Sequence, residues 1–113
     1  MTAKLLDSQI VRMPAIEKKY GIDNLKIYAY INGKNLNIIG EIFAKELKNS
    51  FELKCTVYDQ DGDIVESFDN ESYGSGLVTS HIKPVCFFNG YPFRMSKYLG
   101  EGINISKIRV VPK

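Results

Sequence analysis

FELKCTVYDQDGDIVESF, running from Phe51 to Phe68, is the stretch that decides the fold. Phe51, Leu53, Cys55 and Val57 alternate with Glu52, Lys54, Thr56 and Tyr58, the period-2 pattern of a strand with one buried face. Asp59-Gln60-Asp61-Gly62 follows with turn chemistry. Aspartate side chains hydrogen-bond nearby main chain, and glycine accepts positive φ without a Cβ clash. The segment predicts two strands joined by an acidic turn.

The same alternation recurs on both sides. Leu25, Ile27, Ala29 and Ile31 alternate with Lys26, Tyr28 and Tyr30, and Leu36, Ile38, Gly40, Ile42 and Ala44 read as the returning strand. Asn32-Gly33 between them is the dipeptide suited to a tight hairpin turn. Gly40 at mid-strand predicts a bulge or a close backbone approach. Leu5 to Val11 reads as a short first strand, and a helical turn is predicted only near residues 14–20, with Pro14 at its start. Lys45 to Ser50 and Asp69 to Gly76 read as connections. Leu77 to Ile82 and Val85 to Phe88 read as strands, the second ended by Asn89-Gly90 and Pro92. Met95 to Gly102 fits no single template. Ile103, Ile105, Ile108 and Val110 form a last strand with a register shift near Ser106.

Seven or eight strands spaced by about ten residues, with almost no helix, predict an all-β, antiparallel sandwich or barrel. The 113 residues fit one domain, 1–113, large enough to bury roughly two-thirds of the unfolded chain's surface. A hydrophobic content of 44% with 25% charged residues is ordinary for a globular protein. The net charge of +2 is too small to imply a nucleic-acid partner, and no motif interleaves basic with aromatic residues. Six acidic residues and no basic one lie between Asp59 and Glu71, which reads as a solvated face before it reads as a docking edge. No run approaches the roughly 20 apolar residues that span a bilayer, so membrane insertion is not expected. Asp7 interrupts the apolar run of a would-be signal peptide, so the chain as given is expected in the cytoplasm, and at the envelope only if a leader was removed. Cys55 and Cys86 are then read as buried thiols with no disulfide.

Tyr58-Asp59-x-Asp61-Gly62, preceded by Phe51, Leu53 and Val57 and followed by Ile64-Val65, resembles a unit of bacterial immunoglobulin-like β-sandwich modules of the FxLYD type. In those modules the preceding strand begins Gly-x-Ile or Gly-x-Val, matched here by Gly40-Glu41-Ile42. The resemblance covers Leu36 to Phe68 and implies an immunoglobulin-like, non-enzymatic module, often from the cell envelope.

Four places carry residues suited to chemistry or contact. Asp59, Asp61 and Asp63 count as positions 1, 3 and 5 of a calcium loop, but Ile64 stands where glycine is required and Asn70 where glutamate is, so a hairpin turn is the preferred reading and no metal or other cofactor is expected. His81, the one histidine, has no companion at metal-ligand or nucleophile–base spacing. Tyr73-Gly74-Ser75-Gly76 lacks the Lys-Ser/Thr ending of a phosphate loop and reads as a contact loop with Tyr73 at its tip. Finally, Tyr28, Tyr30 and Tyr58 fall on the polar sides of their strands, and Tyr91 and Phe93 flank Pro92. Rings so placed suit contact with a partner, because they offer large area at low entropic cost; covering the outer side of a sheet is the simpler reading.

The expectation is therefore a non-catalytic binding module, engaging a protein partner or a second copy of itself through loops or an edge strand. Its contact residues would be Tyr28, Tyr30, Tyr58, Tyr73, Tyr91 and Phe93. A glycan or small ligand on a Tyr28/Tyr30/Tyr58 face is the alternative, and a hydrolase built on His81 and the acidic hairpin ranks last.

Overall fold

The computed structural model describes residues 2–48, 51–69, 88–100 and 103–113. Within them the chain forms β1 (Thr2–Lys4), a 3-10 turn (Asp7–Gln9), β2 (Ile10–Val11), α1 (Pro14–Lys19), β3 (Asn24–Asn32) and β4 (Asn35–Ala44). β5 (Leu53–Tyr58), β6 (Ile64–Asp69), β7 (Phe88–Tyr98) and β8 (Lys107–Pro112) follow. Two four-stranded sheets result, in the orders β1-β3-β4-β7 and β2-β8-β5-β6. The fold is the expected all-β sandwich. All pairings are antiparallel except β2 with β8, which run parallel.

The apolar parity seen in the sequence is what closes the two sheets on each other. Leu25, Ile27 and Ala29 of β3 and Leu36, Ile38 and Ile42 of β4 share one core with Leu53, Cys55 and Val57 of β5 and Ile108 and Val110 of β8. Each large side chain buried there contributes on the order of 2 kcal/mol. Gly40 makes a close approach: a Cβ there would stand 2.2 Å from the Lys26 carbonyl oxygen and 2.5 Å from the Phe93 ring. Phe93 thereby fills the space that Gly40 leaves. Just beyond α1 the Tyr20 ring packs against the core, 5.6 Å from that of Phe51.

Several boundaries differ from expectation. Leu5 to Val11 is not one strand, because Asp7–Gln9 makes a 3-10 turn that carries the chain from the first sheet to the second. The β3–β4 turn centres on Gly33 and Lys34, since Asn32 still pairs with Asn35; Gly33 takes φ +65°. β7 is not ended by Asn89-Gly90 or Pro92 but runs through both. Gly90, at φ +83°, is the extra residue of a bulge between the Ile42–Tyr91 and Phe43–Asn89 pairs. Pro92 is tolerated because β7 has β4 on one side only among the described residues. The last strand starts at Lys107, and Ser106 instead donates its N–H to the Tyr58 carbonyl at 2.9 Å. Leu77 to Ile82 and residues 85–87 lie outside the described residues. Among the described residues no helix is long and apolar enough to cross a membrane.

Candidate functional site

Strand parity sends Lys26, Tyr28 and Tyr30 out of the core side of β3, and the ladder sets a row beside each. Tyr28 stands opposite Ile39, and Ile39 opposite Arg94. Tyr30 stands opposite Asn37 and Asn37 opposite Ser96, Lys26 opposite Glu41 and Glu41 opposite Pro92, and Tyr98 opposite Asn35. Directly opposed side chains in such a ladder have Cβ atoms about 5 Å apart, so these rows form a continuous surface. At its centre Tyr28 is 43% exposed and Ile39 38%, and Tyr98 at the border is 59% exposed. The Lys4 ammonium lies 5.7 Å from the centre of the Tyr28 ring, and that of Lys26 5.3 Å from the Phe43 ring. With Arg94 this places three cations on a face that, among the described residues, carries one carboxylate, Glu41, in its rows.

Tyr58 is elsewhere. It belongs to β5 in the second sheet, where Lys107 and Arg109 approach its ring at 5.2 and 5.7 Å. The expected Tyr28/Tyr30/Tyr58 face is therefore two faces, because alternation within a strand reports its buried side but not its sheet. Phe93 is not exposed as expected; it is 7% exposed and packs into the core against Gly40. Tyr91, 39% exposed, borders the β7 bulge. Tyr73 and His81 lie outside the described residues. Ile39, Arg94 and Tyr98 escaped the sequence reading, although parity with Ile38 places Ile39 on the outer side.

The acidic turn is a self-bonded structure. Asp59 Oδ1 accepts from the N–H of Asp61 at 2.9 Å and of Asp63 at 3.0 Å, while Gly62 donates to the Asp59 carbonyl. The carboxylates of Asp59, Asp61 and Asp63 come within 4.8 Å of one another, at a solvent-facing tip. That grouping follows from the turn geometry. Cys55 is fully buried, and burial pushes its thiol well above the ordinary value, so it stays protonated and unreactive. Cys86 lies outside the described residues.

A second feature borders the first sheet. β1 covers the edge of β3 only from Tyr30 to Asn32, and among the described residues the last main-chain bond on that side is from Leu5 N–H to the Ala29 carbonyl, at 2.8 Å. Beyond it lies a cleft of about 360 Å³. Asp7, Ile10 and Arg12 form one wall and β3 from Asn24 to Tyr28 the other. Behind the first wall Arg12 is held by Glu17 of α1, through Nε at 3.1 Å and Nη2 at 2.5 Å.

Comparison with protein-family models, with curated proteins and with solved structures finds no match to this chain.

Proposed function

We propose that the chain is a non-catalytic recognition module that docks a protein partner on the outer face of the β1-β3-β4-β7 sheet. The observation that carries this reading is the adjacency of Tyr28 and Ile39, two large side chains each more than a third exposed at the middle of a sheet. Aromatic and arginine side chains supply most of the energy at protein interfaces, and Tyr30 and Arg94 flank this pair, with Tyr98 at the border of the same face. The surface is a sheet face, whereas small-molecule sites are concave. The glycan alternative loses one of its rings with Tyr58 in the other sheet. The FxLYD-type, immunoglobulin-like reading belongs to the same proposal, supported by an N-terminal segment that gives one strand to each sheet.

Affinity capture with the wild-type protein and with a Tyr28→Ala/Ile39→Asp variant of unchanged circular dichroism tests the reading. Loss of at least about tenfold in retained partner on the variant is expected for two central contacts. Equal capture by both, or no specific capture, overturns it. A glycan-array signal abolished by Tyr28→Ala transfers the face to the alternative.

A further inference from the structure

We propose that the outer face of the first sheet docks the acidic β5–β6 tip of a second copy of this chain, so that molecules join head to tail. The inference rests on that face being a docking surface and names its occupant.

The two surfaces match in charge and in apolar content. On the face, Tyr28 and Ile39 form an exposed pair, and the exposed cations Lys4, Lys26 and Arg94 stand around it. Lys4 pairs with Tyr30 in the row on one side of Tyr28, Lys26 lies in the row on the other side, and Arg94 faces Ile39. Rows on one side of a strand are about 6.6 Å apart and neighbouring strands about 4.8 Å, so one compact group can meet all three cations. The tip is such a group. Asp59, Asp61 and Asp63 hold their carboxylates within 4.8 Å of one another, and Ile64 beside them is 61% exposed. None of these aspartates, nor Lys4, Lys26 or Arg94, forms an ion pair among the described residues. Carboxylates held so close repel one another, and cations set against them relieve the repulsion. Ile64 then covers the Tyr28–Ile39 pair, which buries apolar surface on both copies.

The same charges select the mode of association. The inner sides of the two sheets share one core, so this face looks away from the sheet that carries the tip, and the tip meets it only in another molecule. Face against face would set Lys4, Lys26 and Arg94 of one copy against the same residues of the other, a like-charge contact that disfavours a symmetric dimer. Tip against face is heterologous. Each molecule then keeps one free tip and one free face, and association continues as concentration rises. Few residues form the tip, so each contact is small and readily reversed.

Sedimentation equilibrium up to millimolar concentration tests this on three full-length proteins: the wild type, Asp61→Lys/Asp63→Lys and Tyr28→Ala/Ile39→Asp. Asp61 and Asp63 give main-chain N–H groups to Asp59, so changing their side chains leaves those turn bonds in place. The wild type should gain mass with concentration, and each variant alone should associate at least about tenfold more weakly. An equimolar mixture of the two variants should recover one contact and stop at a pair. In that mixture, ¹⁵N-labelled Asp61→Lys/Asp63→Lys should show shifts at the Tyr28, Ile39 and Arg94 amides. A wild type that stays monomeric overturns the inference, and so does association kept in full by either variant. If a monomeric wild type captures another protein through Tyr28 and Ile39, and Asp61→Lys/Asp63→Lys captures it equally, this inference falls while docking on the outer face stands.

Discussion

Arg12 and Glu17 join the chain before α1 to α1 itself through a two-point ion pair, with the Glu17 side chain 2% exposed and that of Arg12 30%. Removing one partner of a buried pair leaves an uncompensated charge. Arg12→Ala should therefore cost about 3 kcal/mol. The midpoint of urea unfolding, at unchanged slope, measures it. Replacing both partners by apolar residues should cost less than Arg12→Ala alone, because no charge is then stranded.

Gly40→Ala should destabilise by about 2 kcal/mol, because the new methyl group meets both a fixed carbonyl and the Phe93 ring. Adding Phe93→Leu should recover only part of the loss, since the Lys26 carbonyl remains in place. Thermal unfolding of the two single variants and the double variant gives the coupling directly. Full recovery would show that the ring is the entire obstacle.

Cys55 links stability to alkaline pH. Burial holds its folded-state pKa above the ordinary value of 9.0. Above that pH the unfolded thiol loses its proton while the folded one keeps it, so the folded state binds more protons and stability falls as pH rises. Below it the contribution is constant. A Cys86→Ser background isolates Cys55; its decline in stability above pH 9.0 should flatten when Cys55→Ala is added. In the folded protein Cys55 should also react with a thiol reagent only at the rate of unfolding.

Asp59→Ala removes the acceptor for two amides of the β5–β6 turn and should cost about 1 kcal/mol. The loss should be the same with and without millimolar calcium, as read by thermal shift. A calcium-dependent stabilisation of the wild type, absent in Asp59→Ala, would turn the acidic turn into a cation site.

What the sequence makes legible is local parity. The Leu25–Ile31 and Leu36–Ala44 alternations determine two strands and their buried sides, because a half-buried strand has no freedom to rotate. The turn between them slipped by one residue, since Gly33 suits either of two adjacent placements. Asn89-Gly90 and Pro92 read as stops because their cost depends on neighbours the sequence does not display. Beside β4 the glycine is taken up as a bulge and the proline sits where its missing N–H is not needed. Tyr58 reads together with Tyr28 and Tyr30 for the same reason. Its sheet is set by pairing of residues 53–58 with 107–112, a long-range choice that local alternation cannot encode.

The crossing made by residues 5–11 bears on the order in which the molecule assembles. β2 rests on β8, and Gln9 reaches the Ser106 carbonyl across 97 positions of sequence. Contacts so distant form slowly, because a long loop must close before they give any return. On a ribosome, the segment that pins both sheets at this corner has no second-sheet partner until β8 has emerged. Residues 5–11 are made well before residues 107–112 yet are secured only after them, and until then the rim of β3 that they border stays accessible to other chains.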